Sequence, residues 1–273
     1  MVNSQIVGEI VDRLRAAGCV FAEDEAALIV ETARDAAEVE AMVAQRVAGS
    51  PLEYVVGWAS FCGLRIAVDP GVFIPRRRTE FLIAEALKVT SPGAVVVDLG
   101  CGSGALGAAV AAQVEVSLYA ADVERAAVRC ARRNVAPYGG TVYQGDWFDA
   151  LPVELRGRID VLLANVPYVP TDEIRLLPPE ARLYEPHVTL DGGVDGLANL
   201  RQVVAGAIDW LAAGGHMYVE MSDRQAPHAE SVMVAAGLAA EVVTDDDLGA
   251  NVVHGIRPGI KPGAGRAAGT RAG

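Results

Sequence analysis

The chain has 273 residues, 52% of them hydrophobic, and carries 23 basic against 35 acidic side chains for a net charge of −12. That balance opposes a polyanionic partner, because nucleic-acid affinity rests largely on phosphate neutralisation by Lys and Arg, and no apolar run approaches the ~18 residues of a membrane span. The length allows a substantial core in one large domain, or in a domain with an appendage.

In chain order, Met1-Val2-Asn3-Ser4-Gln5 shows no basic stretch followed by an apolar block, so no secretory signal is expected and a cytoplasmic location is the default. Cys19, Cys62, Cys101 and Cys130 have no C-x-x-C spacing, which suits a reducing compartment without structural disulfides or zinc. Residues 1–48 read as a small helical domain, with Ile6, Val7, Ile10, Val11 and Leu14 on one stripe, followed by Leu28, Ile29 and Ala33, then Val39, Met42, Val43 and Val47. Glu23-Asp24-Glu25 sits where the second helix should begin, against the positive end of its dipole. This domain holds nine acidic side chains against Arg13, Arg15, Arg34 and Arg46, a face that suits a basic protein partner or simply solvent.

Residues 49–78 change to Gly, Pro and short β-branched or aromatic runs, including Tyr54-Val55-Val56 and Leu64-Arg65-Ile66-Ala67-Val68, and read as a hairpin-like connector. From 79 to 257 a helix leads into alternating strands and helices, with strands near 94–99, 117–121, 140–144, 159–164, 214–220, 239–243 and 251–256. That alternation calls for a mostly parallel sheet. Residues 258–273, rich in Gly, Pro, Ala and Arg without an apolar period, are expected to be a disordered tail.

Three strand ends carry the chemistry. Val95-Val96-Val97-Asp98-Leu99 runs into Gly100-Cys101-Gly102-Ser103-Gly104, a turn whose glycines let backbone approach a ligand closely. Asp122 follows Leu118-Tyr119-Ala120-Ala121, where a carboxylate can take the ribose hydroxyls of a nicotinamide or a methionine nucleoside. Asp98, two residues before Gly100, suits a cationic, amino-acid-bearing ligand better than a pyrophosphate, and so favours S-adenosylmethionine. Gly145-Asp146-Trp147-Phe148 after the third strand offers a carboxylate and a ring to flank adenine, although Trp147 also suits ordinary core packing. Finally, Asn165-Val166-Pro167-Tyr168 follows the buried run Ile159–Ala164 and puts a polar reader of amino groups at a strand end.

These segments resemble the HemK/PrmC family of protein-(glutamine-N5) methyltransferases from Arg46 to Gly255. The resemblance runs through Gly49-Ser50-Pro51-Leu52-Glu53-Tyr54 with Gly57, Phe73-Ile74-Pro75-Arg76 with Thr79-Glu80, Asp98 to Gly104, and Asp146-Trp147-Phe148. It continues through Asn165 with Pro167-Tyr168, Glu185-Pro186, Leu190-Asp191-Gly192-Gly193 with Asp195-Gly196-Leu197, and Gly214-Gly215 with Glu220. It implies an α/β fold of class I S-adenosylmethionine-dependent methyltransferases, a Rossmann-like seven-stranded sheet behind a small N-terminal helical domain. It also implies that Asn165, Val166, Pro167 and Tyr168 form the catalytic motif, in which the Asn165 side-chain oxygen and the Val166 carbonyl accept the two amide N–H bonds while the Tyr168 ring packs on the substrate. Phe73, Asp98, Gly100, Cys101, Gly102, Ser103, Gly104, Asp122, Asp146, Trp147 and Asn165 would bind the cofactor, and Arg76 and Glu185 the substrate, with no metal.

A carboxamide nitrogen is a poor nucleophile because its lone pair is delocalised, so an enzyme must aim it and favour positive charge as the methyl transfers. Bonds to two acceptors strengthen as that charge develops. The chain departs from the family pattern at Val166 and Arg77, both usually proline, at Ser222, usually glycine, and at Asn251, usually arginine. His187, His216, His228 and His254 lack ligand spacing. The expected acceptor is a glutamine of a protein, a peptide chain release factor or ribosomal protein, with a monomer as the simpler state. The alternatives are a small-molecule amine or amide N-methyltransferase and a catalytically silent cofactor-binding relative.

Overall fold

The computed structural model describes residues 4–259. Residues 1–3 and 260–273, which include nearly all of the expected tail, lie outside the described residues. Three helices, α1 (Ser4–Ala16), α2 (Ala22–Thr32) and α3 (Ala36–Val47), come first. Ile10, Leu14, Ala26, Ile29, Val39 and Val43 bury one apolar face from all three, as a 3.6-residue period requires. Glu23, Asp24 and Glu25 occupy the first turn of α2, and Asp35 caps α3 by accepting the Glu38 N–H at 2.9 Å.

The next segment departs from expectation at one point. Tyr54-Val55-Val56 is not extended; it lies in α4 (Leu52–Val56), which Gly57 closes in the left-handed conformation at φ 81°. Val55 and Val56 join the helical cluster, so burial against α2 and α3 overrides the valines' β preference. A hairpin follows, β1 (Trp58–Phe61) and β2 (Leu64–Ala67). Its turn residues Cys62 and Gly63 both have positive φ, 49° and 75°, the mirror-image turn that matches strand twist. The Cys62 N–H donates to Glu80 Oε1 at 2.8 Å.

Helix α5 (Glu80–Leu87) precedes a seven-stranded sheet of β3 (Val95–Leu99), β4 (Ser117–Asp122), β5 (Thr141–Gln144), β6 (Ile159–Leu163), β7 (Leu211–Met221), β8 (Ala239–Asp245) and β9 (Ala250–Ile256). The spatial order is β5-β4-β3-β6-β7-β9-β8. Of the seven, only β9 runs against the direction of the others. Helices α6 (Ala105–Ala111), α7 (Arg125–Val135), α8 (Pro179–Tyr184), α9 (Ala198–Trp210) and α10 (Ala226–Ala235) complete the α-helices among the described residues. Successive β3 residues go to opposite faces, Val96 into one apolar cluster and Val97 into the other, so both faces are covered and the strand reads as a continuous apolar run.

Winding direction places the site. From β3 the chain moves outward through β4 to β5, then returns to the other side of β3 with β6. The carboxyl ends of β3 and β6 are therefore adjacent, with a crevice between the loops that leave them in opposite directions. None of the helices among the described residues is long and apolar enough to cross a membrane.

Candidate active site

The turn after β3 is shaped by its own glycines. Gly100, Gly102 and Gly104 have φ of 68°, 54° and 75°, where a side chain is strained. A Cβ on Gly100 would also stand 3.1 Å from the Trp147 ring. Beneath the turn, Asp98 is 1% exposed and its Oδ2 accepts the Gly107 N–H at 2.9 Å. Burial pushes its carboxyl up to about 7; the Gly107 N–H opposes the rise and Asp122 adds to it. Asp122, at the end of β4, accepts the Glu124 N–H on Oδ1 and the Gly102 N–H on Oδ2, each at 2.8 Å. Burial raises this carboxyl too, against those two N–H bonds.

A cavity of about 560 Å³ opens over these residues, within the usual size of a ligand pocket. Phe73, Arg76, Asp98, Gly100, Cys101, Gly102, Ser103, Asp122, Asp146, Trp147 and Asn165 to Tyr168 line it. Gly104 and Glu185 do not. Gly104 turns away toward α7, where a Cβ would lie 3.0 Å from the Ala131 Cβ. The donor set fits S-adenosylmethionine. Each Asp122 oxygen keeps a lone pair for a ribose hydroxyl, the Trp147 ring offers a flat wall, and a cationic amino-acid end beside Asp98 would favour its ionised form. Trp147 adopts φ 39°, and its Nε1 donates to Gln202 Oε1 at 2.9 Å.

The loop after β6 is held from outside itself. The Pro167 carbonyl accepts from Asn199 Nδ2 at 3.0 Å, the Tyr168 carbonyl from Gln225 Nε2 at 2.8 Å, and the Val169 carbonyl from the Gly192 N–H at 2.8 Å. Among the described residues, neither the Asn165 side chain nor the Val166 carbonyl has a hydrogen-bond partner, and both residues line the cavity. Val166 is 1% exposed and packs in the apolar cluster that holds Val97 and Leu162 on one face of the sheet. The Tyr168 phenol accepts from Arg78 Nη2 at 2.7 Å and donates to Glu220 Oε1 at 2.8 Å. Arg78 Nε donates to the same Glu220 oxygen at 2.8 Å, while Thr79 Oγ1 donates to the other. Burial, and next the Glu220 charge, push the Tyr168 phenol well above the usual tyrosine range, so it stays protonated.

The outer wall is tied to the helical domain. Arg46 donates to both Glu25 oxygens, at 2.6 and 3.2 Å, and to Glu180 Oε1 of α8 at 2.7 Å. The Tyr184 hydroxyl donates to the Ala48 carbonyl at 3.0 Å. Glu185 acts behind the wall: its Oε1 accepts from Arg76 Nη2 at 2.5 Å, which holds the Arg76 guanidinium 5.0 Å from the Phe73 ring centre. Burial raises the Glu185 carboxyl, with Arg76 opposing. His216 and His254 bond each other at 2.8 Å, between β7 and β9, and neither lines the cavity.

A protein of Geobacter sulfurreducens named release factor glutamine methyltransferase is 36% identical to this chain over 221 residues, 80% of the chain and 77% of that protein. One of the same name from Mycolicibacterium smegmatis is 38% identical over 216 residues, 78% of the chain and 76% of that protein. The chain belongs to the release factor glutamine methyltransferase family. A family model described as Methyltransferase small domain matches residues 63–176. Among solved structures, a methyltransferase from Pyrococcus furiosus aligns with a TM-score of 0.55 at 16% identity, over 72% of this chain and 90% of that one. A ribosomal protein L11 methylase from Lactobacillus delbrueckii aligns at 0.51 and 16%, over 71% and 84%. At such identity these two share the fold, that of class I methyltransferases.

Within this family fold, the run Arg76-Arg77-Arg78 suits a solvated turn as well as a contact with substrate or cofactor, so the sequence does not single out Arg78, and Asn199, Gln202 and Gln225 carry no signal in it. The contacts of all four depend on partners brought together only by folding. Glu220 had a local signal, an acid closing the apolar run Met217-Tyr218-Val219, and its burial at 2% exposure explains the run. For Arg77, exposed beside the cavity, nothing in the structure explains the departure from proline.

Proposed function

We propose that this chain transfers the methyl group of S-adenosylmethionine to the side-chain amide nitrogen of a glutamine in a peptide chain release factor, in the cytoplasm and as a monomer. The observation that carries this reading is the pair of unpartnered acceptors, the Asn165 side-chain oxygen and the Val166 carbonyl, on a cavity wall where the next three carbonyls, those of Pro167, Tyr168 and Val169, are already bonded. A primary amide has two N–H donors in one plane and meets such a pair with both. The names of the curated relatives support release factor as the protein acceptor.

S-adenosylmethionine, when bound, supplies an electrophilic methyl on a sulfonium. Asn165 and Val166 aim the nitrogen lone pair across the cavity, and their bonds to the amide strengthen as the nitrogen turns positive, which lowers the barrier rather than only binding substrate. The nitrogen lone pair forms the new N–C bond as the methyl carbon–sulfur bond breaks and its electron pair stays on sulfur as a neutral thioether, and one N–H proton then leaves to solvent. Tyr168, fixed through its phenol by Arg78 and Glu220, presents its ring as a rigid wall against the amide plane. Alignment of the reactants supplies much of the remaining rate as a proximity effect.

The test is methyl transfer from labelled S-adenosylmethionine to purified release factors and to a whole-cell protein extract, with Asn165→Ala as control. A labelled glutamine absent from the control is the expected result. Cofactor binding with no labelled protein would sink protein methylation and move the reading to a small-molecule acceptor.

A further inference from the structure

Two carboxamide side chains grip the reactive loop in the same way. Asn199 Nδ2 donates to the Pro167 and Asp191 carbonyls, both at 3.0 Å. Gln225 Nε2 donates to the Tyr168 carbonyl at 2.8 Å and the Asp195 carbonyl at 3.1 Å. Each NH₂ group thus spends its two N–H bonds on one carbonyl of the reactive loop and one of the 191–195 loop. Reversing either amide would set oxygen against two carbonyl oxygens, so the chemistry fixes the orientation. Ser222 Oγ donates to Gln225 Oε1 at 2.5 Å and steadies the second clamp.

The clamped joint has no room to relax. A Cβ on Gly196, at φ 73°, would stand 2.1 Å from Gln225 Nε2 and 2.2 Å from the Tyr168 carbonyl oxygen. On Gly192 it would stand 2.8 Å from the Tyr168 Cα. Glycines at these two places let the 191–197 loop lie directly against the reactive loop, where the two NH₂ groups bridge them.

We infer that Asn199 and Gln225 are positioning residues that turn the Pro167 and Tyr168 carbonyls into the protein and so leave the Val166 carbonyl for substrate. Resting on the glutamine-methylation reading, this makes the substrate the third carboxamide in a series. Along Val166-Pro167-Tyr168, successive carbonyls meet the substrate NH₂, the Asn199 NH₂ and the Gln225 NH₂. Selectivity for a primary carboxamide over a carboxylate follows, because a glutamate in place of the glutamine would face the Val166 carbonyl and the Asn165 oxygen with like charge.

The experiment compares Asn199→Asp and Gln225→Glu, near-isosteres that swap donors for oxygen, with the unmodified chain. It measures kcat, KM for a release-factor glutamine and S-adenosylmethionine binding by calorimetry. Expected is a loss on the order of 10²-fold in kcat, as for an ångström of misplacement, with cofactor affinity unchanged. The Gln225→Glu variant should regain activity as pH falls and its new carboxyl protonates into a donor, a response that a purely structural defect would lack. Wild-type kcat in both variants overturns the inference, as does a pH profile parallel to that of the unmodified chain. If either variant does not fold, Asn199→Ser and Gln225→Asn, which keep a shorter polar group, replace it with the same expectation for kcat. Failure of the unmodified chain to methylate any glutamine is failure of the reading, not of the clamp. A crystal structure of a folded variant then decides: a Pro167 or Tyr168 carbonyl that keeps its direction without its clamp overturns the inference, and a turned one supports it.

Discussion

Two turns leave adjacent strands of the same sheet, and they are built with different proportions of backbone and distant side-chain bonding. The one after β3 is held mainly through its backbone: the Gly104 N–H bonds the Cys101 carbonyl at 2.7 Å, Gly100 and Cys101 donate to Ala121 and Gly102 to Asp122 of the neighbouring strand, and one distant side chain, Asn134, donates to the Ser103 carbonyl at 2.8 Å. The one after β6 borrows its shape from Asn199, Gln225, Arg78 and Glu220, from 32 to 90 positions away in sequence. A turn that presents backbone to a cofactor needs only conformational freedom, which glycine carries locally. A loop that must offer one chosen carbonyl to a reacting group is helped by turning the carbonyls that follow it inward, and their partners come from elsewhere in the fold.

The sharpest way to separate the two is Asn165→Ala, which should lower turnover on the order of 10²–10³-fold, by analogy with the loss of one preorganised hydrogen bond, while calorimetric binding of S-adenosylmethionine, which keeps Asp98, Asp122 and the glycine turn, falls far less. A parallel loss of cofactor binding would show that the two turns do not act separately. Next is Gly196→Ala. Its Cβ has no space and φ is 73°, so a fall on the order of 10²-fold in turnover and a stability loss of about 1–3 kcal/mol are expected in chemical denaturation. An unchanged turnover would mean that the borrowed shape is not needed.

The cofactor turn has its own signature in pH. With the Asp98 carboxyl near 7 when folded and about 3.9 when unfolded, the folded state holds the extra proton between those values. Stability of the free chain therefore falls as pH rises from about 4 to about 7 and levels above. A cation beside Asp98 needs the ionised form, so binding should weaken about tenfold per pH unit below 7. Titration calorimetry on Asp98→Asn should return a flat profile and weaker binding at pH 8; a retained slope would assign the proton to another group.

Smaller effects test the borrowed supports. Glu220→Gln keeps the shape but removes the charge that faces Arg78 and Tyr168, and should cost about 1–3 kcal/mol of stability and roughly tenfold in kcat. Arg78 is 47% exposed in its side chain, so solvent moderates the loss. Val166→Pro should shift kcat by less than about threefold, because the reactive contact is a carbonyl and the Val166 N–H that proline removes has no partner among the described residues. A large change in steady-state rate would mean that the valine itself tunes the loop.

Sequence alone determined the strands, the glycine turn and the carboxylates Asp98 and Asp122, because each depends on residues within a few positions: an apolar run, positive φ, an acid at a strand end. It also placed Asn165 and Val166 together, since they are neighbours in the chain. It misread Tyr54-Val55-Val56, whose valines find their partners in α2 and α3, and it set Glu185 in the substrate pocket rather than behind Arg76. Only the tertiary structure decided which carbonyls of the reactive loop stay free. That choice depends on bonds from Asn199 and Gln225, and hydrogen bonds between residues so far apart in sequence exist only after the sheet has brought its strand ends together.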